Sequence, residues 1–339
     1  MADWAKAAEV QLELHRWLLS PHGTRWMRGW IGAETRSEPA KGRMYQLLAA
    51  AEPQKLLTAD SIWVAEEMSE VIMHAREGFQ PEPIEREDFL VHTGFCFFQK
   101  PLLMLDRNGK NVSIGAISWC PVHFTDKTME EIYAEGSSAL DLDESGHGTA
   151  IVNHVPDEDK WGMCIAIFSS AFAEGDSYAE THREAMRQMQ ACELIPLHFT
   201  TVVFGDPFGE GDLYDEDGRY TAADHWWKTI QTTLRLMQQR VFERVDTPTP
   251  RPTRRRWQRA NKTAPKEILV VRLRRTSPRH GEPVESGRTL THRHIRDGHW
   301  RNQWYPSFNR HRQIWIAPTV VGDESLPLIV KRRFYRWDR

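Results

Sequence analysis

The sequence predicts an α+β fold in which helices flank a central antiparallel or mixed sheet and a basic, β-rich segment follows. Three observations lead to this class. Apolar residues recur at helical spacing near the start, β-branched and aromatic runs fill the middle, and arginine-rich strand patterns occupy the last quarter. A chain of 339 residues is long enough for one large domain or two modest ones.

Shifts in composition divide the chain into four regions. We expect a helical N-terminal region over residues 1–78, an α+β body over 79–246, a basic linker over 247–266 and a basic β cassette over 267–339. The linker, TPTPRPTRRRWQRANKTAPK, is rich in proline and arginine. Because proline and like charges favour extended chain, we predict that it is extended and mobile.

Helical spacing dominates the first region. Residues 3–20 place most of their apolar side chains on one side, and GRMYQLLAAAE and TADSIWVAEEMSEVIMHARE predict two further helices, the second with Thr58 as its N-cap. The first residues include acidic side chains and no continuous apolar run, so we expect no signal peptide. No run of about 18 apolar residues occurs, so we also expect no membrane span.

Strand patterns follow in the body. Two apolar runs around the Asn-Gly turn of DRNGKN predict a hairpin, and residues 161–170 and 197–205 predict two more strands. Helices are predicted over 177–193 and over TAADHWWKTIQTTLRLMQQRVFERVD. Beyond the linker, four stretches have strand character: EILVVRLRR, HIRDGHW, RQIWIAPTVV and LIVKRRFYRW.

The four cysteines lie far apart and form no CxxC pair. This usage is typical of buried thiols in a reducing compartment, so we expect a cytoplasmic protein without disulfides. His292, His294 and His299 have a spacing that metal ligands can adopt, but carboxylates are few nearby and no cysteine is close. We therefore expect neither a metal site nor a cofactor.

The charge is distributed unevenly. Residues 251–339 carry 22 Lys/Arg and 7 Asp/Glu, a net charge of +15, whereas residues 1–250 have a net charge of −18. The basic part is expected to attract polyanions in a salt-dependent way, through Arg254, Arg255, Arg256 and Arg259 in particular. The alternative is that the basic part docks on the acidic part of the same chain. Polyanion binding and intramolecular docking are compatible with each other.

The cassette interleaves aromatic rings with arginine between Gly298 and Trp315. Rings stack on bases and guanidinium groups bind phosphates, so the pattern suits RNA, and it equally suits a groove that anchors a peptide. The alternative is that the tryptophans only pack a core. The candidate binding residues are His299, Trp300, Arg301, Gln303, Trp304, Arg312 and Trp315. His299 and Arg301 would contact phosphate or a carbonyl, and Trp300 and Trp304 would stack or form pocket walls.

Catalysis has weak support in the sequence. No phosphate-binding loop, dinucleotide fingerprint or nucleophile elbow is present. RNA cleavage by a histidine beside arginines is the one enzymatic alternative, with His299 and Arg301, or His311 with Arg310 and Arg312, as the groups. We assign no catalytic residue.

The segment HIRDGHWRNQW…RHRQIWIAP resembles the C-terminal signature of a family found among phages, plasmids and their hosts, in which a GHW-x-x-(Q)W segment precedes an arginine-containing W-x-x-P strand. One characterised member is a type V-A anti-CRISPR protein. The specific match covers about residues 267–322. The resemblance implies a protein that recognises the N-terminal segment of a nascent effector nuclease and causes loss of the transcript being translated.

Three hypotheses therefore remain. In the first, the chain is an anti-CRISPR-like regulator whose partners are a nascent polypeptide, such as a CRISPR effector, and the ribosome or mRNA. In the second, it is an RNA-binding protein or ribonuclease without peptide recognition. In the third, it is a structural interaction protein whose cassette is only core.

Overall fold

The computed structural model describes most of the chain. The described residues are 3–37, 42–105, 110–125, 148–151, 160–171, 173–188, 192–205, 222–239, 242–273, 293–296, 298–306, 309–321 and 328–329.

The helices of the described chain are α1 (Lys6–Leu18), α2 (Pro21–Ser37), α3 (Gly42–Thr58), α4 (Glu66–Gly78), α5 (Ser177–Gln188), α6 (Ala222–Met237) and α7 (Arg251–Arg259). The strands of the main sheet are β1 (Asp60–Val64), β2 (Gly94–Leu105), β3 (Asn111–Thr125), β4 (Gly148–Ile151), β5 (Lys160–Ser170), β6 (Leu194–Val203), β7 (Phe242–Pro248) and β8 (Glu267–Leu273). The remaining strands are β9 (Arg293–Arg296), β10 (His299–Tyr305), β11 (Arg310–Ile316), β12 (Thr319–Val321) and β13 (Leu328–Ile329).

The main sheet is mixed, in the order β6-β5-β3-β2-β1-β8-β7, with β4 alongside β3. Strand β1 lies between two parallel neighbours, β2 and β8, and the other pairs along this order are antiparallel. Four of the five residues of β1 are buried, which fits its position in the middle of the sheet. The predicted α+β class is confirmed.

Two groups of helices pack against this sheet. Helices α1 and α3 contact each other, and α1 contacts β1 and β2 while α3 contacts β3 and β6. Buried Gln11 of α1 donates to the carbonyls of Leu56 and Ala59 and accepts from the hydroxyl of Ser61, so it fastens α1 to α3 and β1. Helix α4 packs on β2 and β8 and against α6.

Helix α3 also carries a fully buried ion pair between Glu52 and Lys55. The hydroxyl of Ser118 on β3 donates to Glu52 at 2.6 Å. Burial alone would lower the pKa of Lys55, but the charge of Glu52, the nearby thiols of Cys164 and Cys120 and the hydrogen bond to Glu52 together raise that pKa above its usual value. Lys55 therefore keeps its proton in the core.

Several predicted elements have the predicted type. The β2–β3 hairpin, strands β5, β6 and β8 and the helix beginning at Ser177 all form, while the turn at 106–109 lies outside the described residues. Cys96, Cys120 and Cys164 are buried free thiols, as predicted, and Cys192 is partly buried.

The prediction of a helix over residues 58–77 was wrong for the first half of that stretch. Residues 60–64 form strand β1, and Thr58 ends α3, where its hydroxyl donates to the carbonyl of Lys55, so Thr58 caps no helix N-terminus. A run of five residues between two helices shows too few periods for helix and strand to be told apart. Helix α2 was not predicted at all.

The helix predicted to continue to residue 246 ends at Met237 instead. The following residues form edge strand β7, in which Phe242 is buried opposite Leu273 and Glu243 accepts from Arg272 of β8 at 2.8 Å. Pairing with β8 overrides the helical spacing of this stretch.

The predicted extended linker is also corrected. Residues 251–259 form helix α7, whose Trp257 is fully buried and donates from Nε1 to the carbonyl of Ala8 at 3.0 Å. Proline is favoured in a first helical turn, because its fixed φ suits the helix and the missing N–H has no partner there. The four-region division stays a prediction, although the sheet takes β1 from the first region and β8 from the last.

Among the described helices, none combines the length and the apolar character that crossing a membrane requires.

Candidate functional site on the C-terminal hairpin

Strands β10 and β11 form an antiparallel hairpin that contains all seven candidate binding residues of the cassette. Trp300 lies opposite Trp315, Gln303 opposite Arg312 and Trp304 opposite His311. Because side chains alternate along a strand, Trp300 and Trp304 share one face with Trp315, and Arg301 and Gln303 share the other with Arg312.

Two tryptophans attach the hairpin to α4. Trp300 donates from Nε1 to the carbonyl of Ala75 at 2.7 Å and packs edge-on against buried Phe79, with ring centroids 5.0 Å apart. Its second aromatic neighbour is Trp315, with ring centroids 5.4 Å apart, and Trp315 also meets His74 edge-on. Trp315 is only 4% exposed and belongs to the main core. Trp315 is therefore enclosed in the core, whereas Trp300 is partly buried against Phe79 and Trp315.

Gln313, which was not predicted, attaches the hairpin to the segment after α4. Its side-chain amide accepts from the N–H of Gln80 at 3.3 Å and donates to the carbonyl of Gln80 at 2.7 Å, as a neighbouring strand would. The amide nitrogen also donates to the Glu82 carboxylate at 2.8 Å. Gln239, two residues after the end of α6, accepts from the N–H of Trp315 at 2.8 Å.

Opposite charges join the hairpin to the body. Arg310 donates to Glu85 at 3.0 Å, and Arg312 lies 3.8 Å from Asp88. Arg235 of α6 bridges the acidic segment, with contacts of 2.9 Å to Glu82 and 2.7 Å to Asp88. Burial raises the pKa of the Asp88 carboxyl, against the opposing effect of Arg235. The basic part of the chain therefore does dock on the acidic part.

Arg312 is withdrawn from solvent by this docking. Its side chain is only 11% exposed, and burial together with nearby Arg235 lowers the pKa of its guanidinium. An arginine nevertheless keeps its proton under all ordinary conditions. Its place in the network makes Arg312 a structural residue of the hairpin.

The outer part of the hairpin faces solvent. Trp304 is 43% exposed and meets His311 edge-on, with ring centroids 5.0 Å apart. Arg301 is exposed and donates to the side-chain oxygen of Gln303 at 3.0 Å. Half-buried His299 starts the strand opposite Ile316. We call Arg301, Gln303, Trp304 and His311 the hairpin tip patch; Trp304 and His311 project from one face of the hairpin, and Arg301 and Gln303 project from the other.

The four predicted polyanion-binding arginines divide in the same way. Arg254, Arg255 and Arg259 are exposed on α7. Arg256 instead forms ion pairs with Glu9, at 3.4 Å, and with Glu13, both on α1. The geometry thus assigns Arg256 to the docking of α7.

Comparison with known proteins identifies the family. A model of the "Anti-CRISPR type V subtype A2 family" (AcrVA2-like) matches residues 119–323, more than half of the chain. The chain belongs to this family. Its function is accordingly of the anti-CRISPR, AcrVA2-like kind. The crystal structure of AcrVA2 is similar over 94% of both chains, with a TM-score of 0.36 and 12% sequence identity. Curated proteins yield no match.

The resemblance to a type V-A anti-CRISPR family is therefore confirmed. The family match includes the whole hairpin but not Phe79, Gln80 or Glu82, to which this AcrVA2-like chain attaches it. Sequence reasoning missed these contacts because no local pattern links residues more than two hundred positions apart.

Of the three histidines with metal-ligand spacing, His294 lies on β9 and His299 lies on β10. Within the described ranges, no three His, Cys, Asp or Glu side chains converge as a metal ion would require. His292 lies outside those residues.

Proposed function

We propose that this anti-CRISPR protein acts in the cytoplasm by binding the N-terminal segment of a nascent target protein at the ribosome, thereby lowering the amount of the translated mRNA. The single observation that supports a peptide interface best is the exposure of Trp304 on a hairpin that is otherwise fixed to the body. An exposed aromatic ring on a fixed scaffold is a common anchor of peptide interfaces.

The rigid attachment of the tip supports this proposal further. Trp300, Trp315 and Gln313 hold the base of the hairpin by hydrogen bonds and ring contacts, so the tip patch is presented in a fixed position. Pre-organisation lowers the entropic cost of binding a flexible peptide. Arg301 and Gln303 supply donors for peptide carbonyls or acidic side chains.

The structure weakens one of the two candidate ribonuclease sites, the one formed by His311 with Arg310 and Arg312. Arg310 and Arg312, which would stabilise a phosphorane beside His311, contact Glu85 and Asp88 instead. His299 and Arg301 lie two residues apart on one face of β10, and no acidic partner of Arg301 is seen in the described part of the chain. RNA binding without cleavage is supported separately by the exposed arginines of α7, Arg254, Arg255 and Arg259.

The test uses reporters that begin with the N-terminal segments of effectors from several CRISPR types. Each is compared with a frameshifted version that has nearly the same nucleotides but encodes a different peptide. Peptide recognition predicts that co-expression lowers the transcript of an in-frame reporter and spares its frameshifted version. Equal loss of both versions would instead favour direct RNA recognition, and no loss for any effector would overturn the proposal.

A pair of variants then assigns the effect to the tip patch. Trp304→Ala with Arg301→Gln should abolish transcript loss, because both remove exposed anchors. Arg25→Gln with Arg28→Gln, which changes exposed arginines on α2, is the control and should leave it unchanged. Full activity of the Trp304/Arg301 variant would exclude the tip patch as the interface.

A further inference from the structure

An open concavity of about 480 Å³ lies where the end of α7 meets α1. It is lined by Arg16, Arg256, Arg259, Ala260, Asn261 and Lys262. Four of these six residues are cations, and none is aromatic or acidic. The concavity is far from a typical small-molecule pocket, which is mostly apolar.

A tight turn creates this arrangement. After α7 ends at Arg259, Asn261 adopts a left-handed backbone with φ of 55°, a conformation that asparagine tolerates better than most residues. The turn brings Lys262 back beside the helix, where its N–H donates to the carbonyl of Trp257 at 3.0 Å. Since Trp257 is buried against α1, the basic side chains are held on a fixed scaffold.

The cations in the concavity are only partly compensated. Glu9 and Glu13 are engaged with Arg256. For Arg16, Arg259 and Lys262, the described part of the chain provides no ion pair. Two of these cations also act on the buried His15. Its pKa is lowered mainly by burial and further by the positive charges of Lys262 and Arg16.

We infer that this concavity binds the phosphodiester backbone of a nucleic acid. Guanidinium and ammonium groups bind phosphate oxygens, and the absence of lining aromatic rings leaves nothing to stack on a base. Arg251, Arg255 and Arg259 are exposed at four-residue intervals on α7, about 6 Å apart along the helix axis. This stripe continues the positive surface beyond the concavity, so a chain of phosphates suits it better than one anion.

This inference concerns a different surface from the hairpin tip patch, and it holds whether or not the chain binds a nascent peptide. It also predicts little discrimination between RNA and DNA, because the site offers charge rather than groups placed to read a base or a 2′-hydroxyl.

The experiment measures binding of the full chain to a labelled single-stranded RNA of mixed sequence by fluorescence anisotropy over a range of salt concentrations. The test variant is Arg259→Gln with Lys262→Gln. Its matched control is Arg25→Gln with Arg28→Gln, which removes the same charge from exposed positions on α2. We expect the test variant to lose about tenfold in affinity at moderate salt, and its salt slope to fall by about 1.4, since each lost phosphate contact removes about 0.7 on a single strand.

The control variant should bind nearly as well as the unchanged chain. Equal losses in the two variants would show a diffuse charge effect and overturn the site, as would failure of the unchanged chain to bind RNA. A preference for an acidic peptide of equal charge would likewise overturn it. Circular dichroism melting of each variant confirms that the fold is retained, as expected for substitutions of side chains that face the solvent.

Discussion

Trp300 donates a hydrogen bond from its indole nitrogen to the carbonyl of Ala75, 225 positions earlier in the chain, at 2.7 Å. Ala75 lies near the end of α4, where carbonyls lack partners within the helix. The tryptophan therefore satisfies a helix end and fixes the hairpin with one side chain, and its role differs from that of Trp304 on the same face of β10.

The first prediction contrasts these two tryptophans. Trp300→Ala should lower the free energy of unfolding by about 2–3 kcal/mol, because it removes ring contacts and leaves a carbonyl without its donor. Trp304→Ala should change it by no more than about 0.5 kcal/mol, since that ring is largely exposed. Urea unfolding of both variants measures the difference. Similar losses in the two would show that Trp304 is also structural.

The second prediction concerns α7 as part of the core. Trp257→Ala should cost about 3–5 kcal/mol through the cavity it leaves. Trp257→Phe should cost less, because it keeps most of the ring and loses mainly the hydrogen bond to Ala8. Limited trypsin digestion gives a second measurement: cleavage after Arg254, Arg255 or Arg259 should be slow in the unchanged chain and fast in Trp257→Ala. Rapid cleavage of the unchanged chain would support the extended linker instead.

The third prediction concerns the buried pair of Glu52 and Lys55. Lys55→Met should destabilise the protein by about 3–5 kcal/mol, because a carboxylate is left in the core without its cation. Adding Glu52→Gln should recover much of that loss, since the amide keeps an oxygen for the hydroxyl of Ser118. Thermal and chemical unfolding of both variants tests this. A double variant as unstable as Lys55→Met would indicate that the pair acts through packing alone.

The fourth prediction is a pH dependence at His15, whose Nδ1 donates to the carbonyl of Pro53 at 2.7 Å. Its pKa is lowered in the folded chain, so below about pH 6.5 the unfolded state binds a proton more readily than the folded state. The contribution of neutral His15 to the free energy of unfolding is thus fully present above that pH, and it is lost as the pH falls through the lowered pKa of the folded state.

The difference in unfolding free energy between the unchanged chain and His15→Gln should therefore shrink on acidification. Unfolding at a series of pH values measures it, and a constant difference would contradict the assignment. Lys262→Gln provides an independent check, because removal of that charge should raise the pKa of His15 in an NMR titration.

How much of this structure the sequence predicts depends on how far apart in the chain the contacting residues lie. The β2–β3 hairpin and strand β5 follow from local alternation and an Asn-Gly turn, so pattern alone identifies them. Helix α7 is not predicted, because its many arginines and prolines are typical of a linker. Its position depends on one buried side chain, Trp257, which packs against α1. The division of the cassette into anchors and exposed residues is not predictable, because it depends on Phe79, Gln80 and Asp88, which belong to a distant segment.

The position of β1 has a consequence for biosynthesis. Ser61 pairs with Phe95 on one side and with Ile268 on the other, and the second partner is synthesised about two hundred residues later. Until β8 has left the ribosome, one edge of β1 lacks its partner strand, and unpaired edges promote association between chains. Truncation before residue 267 should therefore give insoluble fragments. The segment that matches the family, residues 119–323, lacks both β1 and β2 and should not fold on its own.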